Sequence, residues 1–170
     1  MILSYLLGDK IISTSENSFL LYENSSFGEK KDNKIIYSSI EALFLLQEGK
    51  MQVFSGKKQI SFDKLLKKVK KYDKKIETKL PAYSDLRKRG YVVKSALKFG
   101  AEFRVYDKGV QPGIDHAKWI LYVVKESEML NWHDFSAKNR VAHSTKKNLL
   151  ISIVDDEGDV SYYEVSWLRP

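Results

Sequence analysis

GYVVKSALKFGAEFRVYDKGVQPGIDHAKWILYVV, residues 90–124, decides the fold because it strings three strand-like runs together. GYVVKSAL, AEFRVYD and HAKWILYVV are rich in valine and aromatic residues, and glycine-bearing turns separate them. Within AEFRVYD, alternation sets Phe103 and Val105 on one face and Arg104 and Tyr106 on the other. The Tyr106 hydroxyl is therefore expected on the polar side, at the rim of a sheet. His116 opens the next run after the loop GVQPG, which can bring it near Tyr106. A phenol and an imidazole at two strand ends have two explanations. They are a surface tyrosine and a surface histidine, or they face a shared substrate.

Downstream, FSAKNRVAHSTK has a helical pattern, and NLLISIVDDEGDVSYYEVSWL reads as a hairpin turned at DDEGD. The junction RVAHSTKKNLL carries Arg140, His143, Lys146 and Lys147. Where a helix ends and a buried strand begins, consecutive side chains diverge, so one lysine can face a cleft while the other faces water. The helix dipole alone also favours cations there, which leaves a purely structural role open.

Upstream, the first thirty-five residues alternate short apolar runs (ILSYLLG, KIIS, SFLLY) with polar turns and are expected to form three or four strands. SSIEALFLLQEG predicts a helix in which Ser38 caps, Glu41 completes a capping box and Gly49 lies past the end. MQVF predicts a strand. From Ser61, the apolar positions Phe62, Leu65, Leu66, Val69, Tyr72 and Ile76 predict one helix, whose lysine-rich back is a solvated face or an RNA contact. Pro81 is expected to interrupt the helical pattern, placing a boundary near residues 78–83, followed by a short helix YSDLRKRG ended by Gly90. The fold class is α+β with mixed α/β character. It has two small lobes: a strand-plus-helix lobe at residues 1–80 and a mixed-sheet domain at residues 81–170.

The chain has 170 residues and a formal charge of +7. Residues 1–80 hold 15 basic and 10 acidic side chains, while residues 81–170 hold 14 and 12. Four of those later acids lie in DDEGD, so the remaining surface is strongly basic, as for a protein with a nucleic-acid partner or a lysine-rich protein without one. No apolar run is long enough to span a membrane. MILSYLLGDKIIS lacks the basic region and cleavage site of a signal peptide. With no cysteine there is no disulfide or thiol nucleophile, which fits a cytoplasmic location.

GYVVKSALKFGAEFRVYDKG, DHAKW and RVAHSTKKNLLISIVDDEGDVSYYEV together resemble, in order and spacing, the C-terminal domain of archaeal tRNA-splicing endonucleases. SSIEALFLLQEGKMQV is similar to the amino-terminal lobe of the same proteins. The resemblance implies a catalytic triad of Tyr106, His116 and Lys147, the last following Ala-His-Ser and two further residues. Lys146 stands where arginine is usual, and Ala117-Lys118-Trp119 departs from a serine-containing pattern. His143 has no triad role and His133 reads as surface.

The implied reaction is attack of an RNA 2′-hydroxyl on its adjacent phosphate, leaving a 2′,3′-cyclic phosphate and a 5′-hydroxyl. Tyr106 would be the base, His116 the acid protonating the departing oxygen, and Lys147 the stabiliser of the phosphorane charge. A phenol ordinarily keeps its proton to about pH 10, so the base role calls for neighbouring positive charge. This chemistry requires no metal and no cofactor. The implied substrate is precursor tRNA folded as a bulge-helix-bulge, with Arg140 stacking on a bulge base and Tyr162 or Trp167 as its companion. Arg87, Lys88 and Arg89 contact phosphate or form a solvated helix end. The resemblance also implies a homotetramer, or a heterotetramer with a second subunit, built through the Asp155–Asp159 loop and the C-terminal strand. Two other readings are a non-catalytic RNA-binding or scaffolding subunit of such an assembly, and a metal-dependent nuclease using the DDEGD carboxylates.

Overall fold

The computed structural model describes residues 1–96 and 100–168. The chain divides into two compact units, Met1–Leu80 and Pro81–Pro170. Both combine helices with a mixed sheet, as an α+β chain should.

In the first unit, β1 (Ile2–Leu7), β2 (Lys10–Ser13), β3 (Glu29–Lys31), β4 (Lys34–Tyr37), β5 (Met51–Ser55) and β6 (Lys58–Ile60) form a sheet in the order β3-β4-β2-β1-β5-β6. Only the β1–β5 pairing in it is parallel among the described residues. SFLLY is not a strand but part of helix α1 (Glu16–Ser25). A short apolar run has no period of its own to separate strand from helix. Ser15, extended at φ −72° and ψ 145°, leads into a first turn carrying Glu16, where the helix dipole favours an acid.

Helix α2 (Ser39–Gln47) starts as expected. The Ser38 hydroxyl accepts from the Glu41 amide, and the Glu41 carboxylate accepts from the Ser38 amide at 2.9 Å. That carboxylate is buried and also accepts from the Gly28 amide at 2.9 Å, so one side chain ties the helix start to a loop.

The single helix expected from Ser61 is two helices, α3 (Phe62–Val69) and α4 (Ile76–Lys88). Between them the Asp73 carboxylate accepts from the Lys75 amide at 3.1 Å and from the Lys79 amine, and the Asp73 carbonyl accepts from the Ile76 amide. Asp73 thus restarts the helix. Pro81, expected to break the pattern, lies inside α4. It removes one donor, the one that would meet the Glu77 carbonyl, and the helix continues past it. YSDLRK is therefore the second half of α4 rather than a separate helix.

In the second unit, β7 (Val92–Ser95), β8 (Phe103–Tyr106), β9 (Trp119–Lys125), β10 (Asn148–Val154) and β11 (Val160–Val165) form a sheet in the order β11-β10-β9-β8-β7. The pair β9–β10 is parallel and is joined through helix α5 (Trp132–Ser144). The last residue of the expected run GYVVKSAL, Leu97, lies outside the described residues. Ala142 and Phe135 of α5 pack on one sheet face against Ile120, Tyr122 and Leu149. On the other face Tyr83 meets Phe103 with ring centroids 5.6 Å apart.

Candidate active site

Strand register builds the candidate site. Val105 on β8 pairs with Trp119 on β9, which pairs in turn with Asn148 on β10. One residue further out, the Lys118 amide donates to the Val105 carbonyl at 3.0 Å, and the Lys118 carbonyl accepts from the Asn148 amide at 3.0 Å. The Lys118 backbone is thereby bonded to both neighbours, with Tyr106 on one side and Lys147 on the other. Within β8, alternation sets Tyr106 on the same face as Arg104, whose register partner is Ile120 on β9. His116 lies two residues upstream of Lys118 on the same central segment and is exposed. The ends of β8 and β10 therefore bring Tyr106 and Lys147 to one end of the sheet, and His116 lies on the exposed connection that leads into β9.

Two local expectations are corrected. Tyr106 ends β8 as expected, but not on an open polar face: it is 3% exposed and packs with Val92, Ala117 and Val110. Its strand partner Val92 and the returning 107–118 connection enclose the ring. His116 does not open a strand, because β9 begins only at Trp119. Its neighbour Ala117 is drawn into the Tyr106 cluster, which anchors the segment beside the tyrosine.

Lys147 is placed by the end of α5. The Lys147 amide donates to the Ala142 carbonyl at 2.9 Å and the Lys146 amide to the His143 carbonyl at 2.9 Å, the bond pair of a Schellman cap. Lys146 takes the left-handed position, φ 57°, where glycine is usual, and points to solvent. Lys147 follows half-buried, its Nζ donating to the Thr145 carbonyl at 2.8 Å. The expected divergence of the two lysines is thus a consequence of the cap.

Withdrawal from water, and then the Arg104 guanidinium, push the Lys147 amine below the ordinary lysine range. Arg104 itself is fixed by Nε donating to the Ser95 carbonyl at 3.1 Å, and its guanidinium stands 6.0 Å from the centre of the Tyr106 ring. Sequence reasoning gave Arg104 no role, although its place two residues before Tyr106 on one strand face was the available signal. Lys118 was likewise noted only as a departure from a motif. Its amine lies 4.3 Å from the centre of the Trp119 ring and 3.8 Å from the Asp107 carboxylate.

Arg140 is exposed on α5, one turn before His143. The His143 ring lies 4.4 Å from that of Trp167, which is 51% exposed, so an arginine and an aromatic ring are available along this helix. Tyr162 is not: opposite Ser152, it points to the other sheet face and donates to the Ala82 carbonyl at 3.3 Å. Burial, and then the Asp85 carboxylate, raise its phenol well above the ordinary range. Arg87 donates to the Tyr91 carbonyl and Arg89 pairs with Asp85 at 2.8 Å, so both are tied into the end of α4. His133 is exposed beside Asp134. The DDEGD segment is a turn in which the Asp155 carboxylate accepts from the Asp159 amide at 2.8 Å. Among the described residues no group of three His, Cys, Asp or Glu side chains is placed to hold a metal ion, and no helix is long and apolar enough to cross a membrane.

Residues 76–162 match the family model for the tRNA intron endonuclease catalytic C-terminal domain, and residues 2–66 match that for the tRNA intron endonuclease N-terminal domain. The tRNA-splicing endonuclease of Pyrococcus abyssi is 42% identical over 166 residues, covering 97% of this chain and 95% of that protein. That of Thermococcus kodakarensis is 40% identical over 170 residues, covering 99% of each. That of Nanoarchaeum equitans is 44% identical over 137 residues, 77% of this chain and 88% of that protein.

Proposed function

The chain belongs to the tRNA intron endonuclease family, and on that premise we propose that it excises introns from precursor tRNA in the cytoplasm by cutting at bulge-helix-bulge junctions. Tyr106 takes the proton from the 2′-hydroxyl of the nucleotide preceding the cut. The 2′-oxygen bonds to phosphorus, the bond from phosphorus to the 5′-oxygen breaks, and His116 gives that oxygen its proton. Lys147 balances the charge building on the non-bridging oxygens. The ends are a 2′,3′-cyclic phosphate and a 5′-hydroxyl. Arg140 stacks on an extruded bulge base, with Trp167 beside His143 as its companion.

The supporting observation is the shared sheet end: Tyr106 and Lys147 flank a Lys118 backbone bonded to both strands, with His116 two residues away. Four chains, identical or of two kinds, complete the enzyme. In support, β11 is an edge strand whose outer side is unpaired among the described residues, and Asp156 and Glu157 are exposed in the turn before it.

The test is His116→Ala with a bulge-helix-bulge RNA. The rate should fall by about 10²–10⁴-fold while binding survives, because general acid catalysis is removed without disturbing the exposed loop. A rate equal to wild type would take His116 out of the reaction. Cutting that requires an added divalent ion and stops in EDTA would favour a metal-dependent nuclease instead.

A further inference from the structure

One face of the six-stranded sheet stays open along β1. Ile2 and Ser4 point into the core of the first unit, while the alternating Leu3, Tyr5 and Leu7 are 46%, 48% and 61% exposed. Because β1 is an interior strand, this is the middle of a sheet and not a frayed edge. Register extends the row sideways, with Tyr5 opposite Ile12 on β2 and opposite Phe54 on β5. The Tyr5 and Phe54 rings are neighbours, their centroids 6.0 Å apart and their planes tilted by 36°.

The same register places the charges of this face. Lys10 sits opposite Leu7, Lys34 lies two residues from Ile36 on β4, and Lys31 is opposite Lys34; Glu29 shares this face, and Asp9 and Asp32 are exposed in the adjoining turns. Exposed apolar rows of this kind mark binding surfaces. An aliphatic row alone would suit another protein. Two adjacent aromatic rings with lysines about them suit a strand of unpaired nucleotides, since every base has a face to stack and every linkage carries a negative charge.

We infer that this face of the first unit is a single-stranded RNA-binding surface, with bases stacking on Tyr5 and Phe54 and phosphates meeting Lys10 and Lys34. The inference rests on the reading of the chain as an RNA enzyme. It adds a hold on unpaired stretches of the substrate that the cutting chemistry itself does not use.

The experiment measures fluorescence anisotropy of a short labelled oligouridylate with the full chain, beside cutting of a bulge-helix-bulge RNA trimmed of flanking single strands. Tyr5→Leu and Phe54→Leu keep the apolar bulk and remove the rings. Each should weaken oligouridylate binding about tenfold and leave cutting of the trimmed RNA unchanged. Lys10→Gln with Lys34→Gln should flatten the salt dependence of that binding. Oligouridylate affinity equal to wild type in both leucine variants overturns the inference. So does a fall in particle mass by light scattering at unchanged RNA affinity, which would make the face a contact between copies of the chain. If the wild-type protein fails to cut the trimmed RNA, the endonuclease reading falls, and the anisotropy arm still decides this one.

Discussion

The Lys147 amine sits half-buried beside the Arg104 guanidinium, and desolvation followed by that like charge lowers its pKa from the ordinary lysine value. In the proposed reaction the cationic form is the working one, so activity fails as pH rises through the lowered value. Stability runs the other way. The folded state bears the cost of that charge below the lowered pKa, and the cost is relieved as pH climbs toward the unfolded lysine value. Arg104→Gln removes the like charge, so the alkaline fall in the pH–rate profile should move to higher pH. An alkaline limb that stays in place would separate Arg104 from Lys147. The residue types of the site were legible in the sequence, but their surroundings were not. Alternation within FRVY put Tyr106 on the side of Arg104 correctly, yet suggested an open rim. The burial comes from Val92, Val110 and Ala117, and a strand's own pattern says nothing about which loop folds over it.

Two elements with a chemical signal at their ends, α2 and the end of α4, were read correctly. The Ser38–Glu41 box begins α2, and Gly49 and Gly90, both at positive φ, follow the ends of α2 and α4. Elements set by tertiary context were not. SFLLY becomes a helix although its apolar run fits a strand, and α4 runs through Pro81. In the second case the local bias against helix before a proline is outweighed by packing, with Ala82, Tyr83 and Leu86 all buried. The Glu41 carboxylate makes the sharpest energetic prediction at this scale, because it serves the buried Gly28 amide as well as the Ser38 cap. Glu41→Ala should cost about 3 kcal/mol in urea unfolding, since charged-acceptor hydrogen bonds and a cap are lost together. A loss below about 1 kcal/mol would mean that Gly28 and Ser38 find other acceptors readily.

At the scale of the whole molecule, the basic balance and the concentrated acidic turn acquire complementary meanings in the proposed assembly. In that proposal the basic surface meets RNA and the acidic turn meets a neighbouring chain. Replacing Asp155, Asp156, Glu157 and Asp159 by their amides or alanine should give smaller particles in light scattering, and a mass equal to wild type would leave DDEGD as a turn alone. The paired lobes were legible from composition and periodicity, because each needs its own sheet and helices to bury a core. The most direct measurement uses two bulge-helix-bulge RNAs that differ by a single 2′-deoxy substitution in the nucleotide before the cut. The account predicts that the all-ribose RNA is cut to a 2′,3′-cyclic phosphate while the 2′-deoxy RNA stays intact at that linkage; cutting of both at similar rates would contradict it.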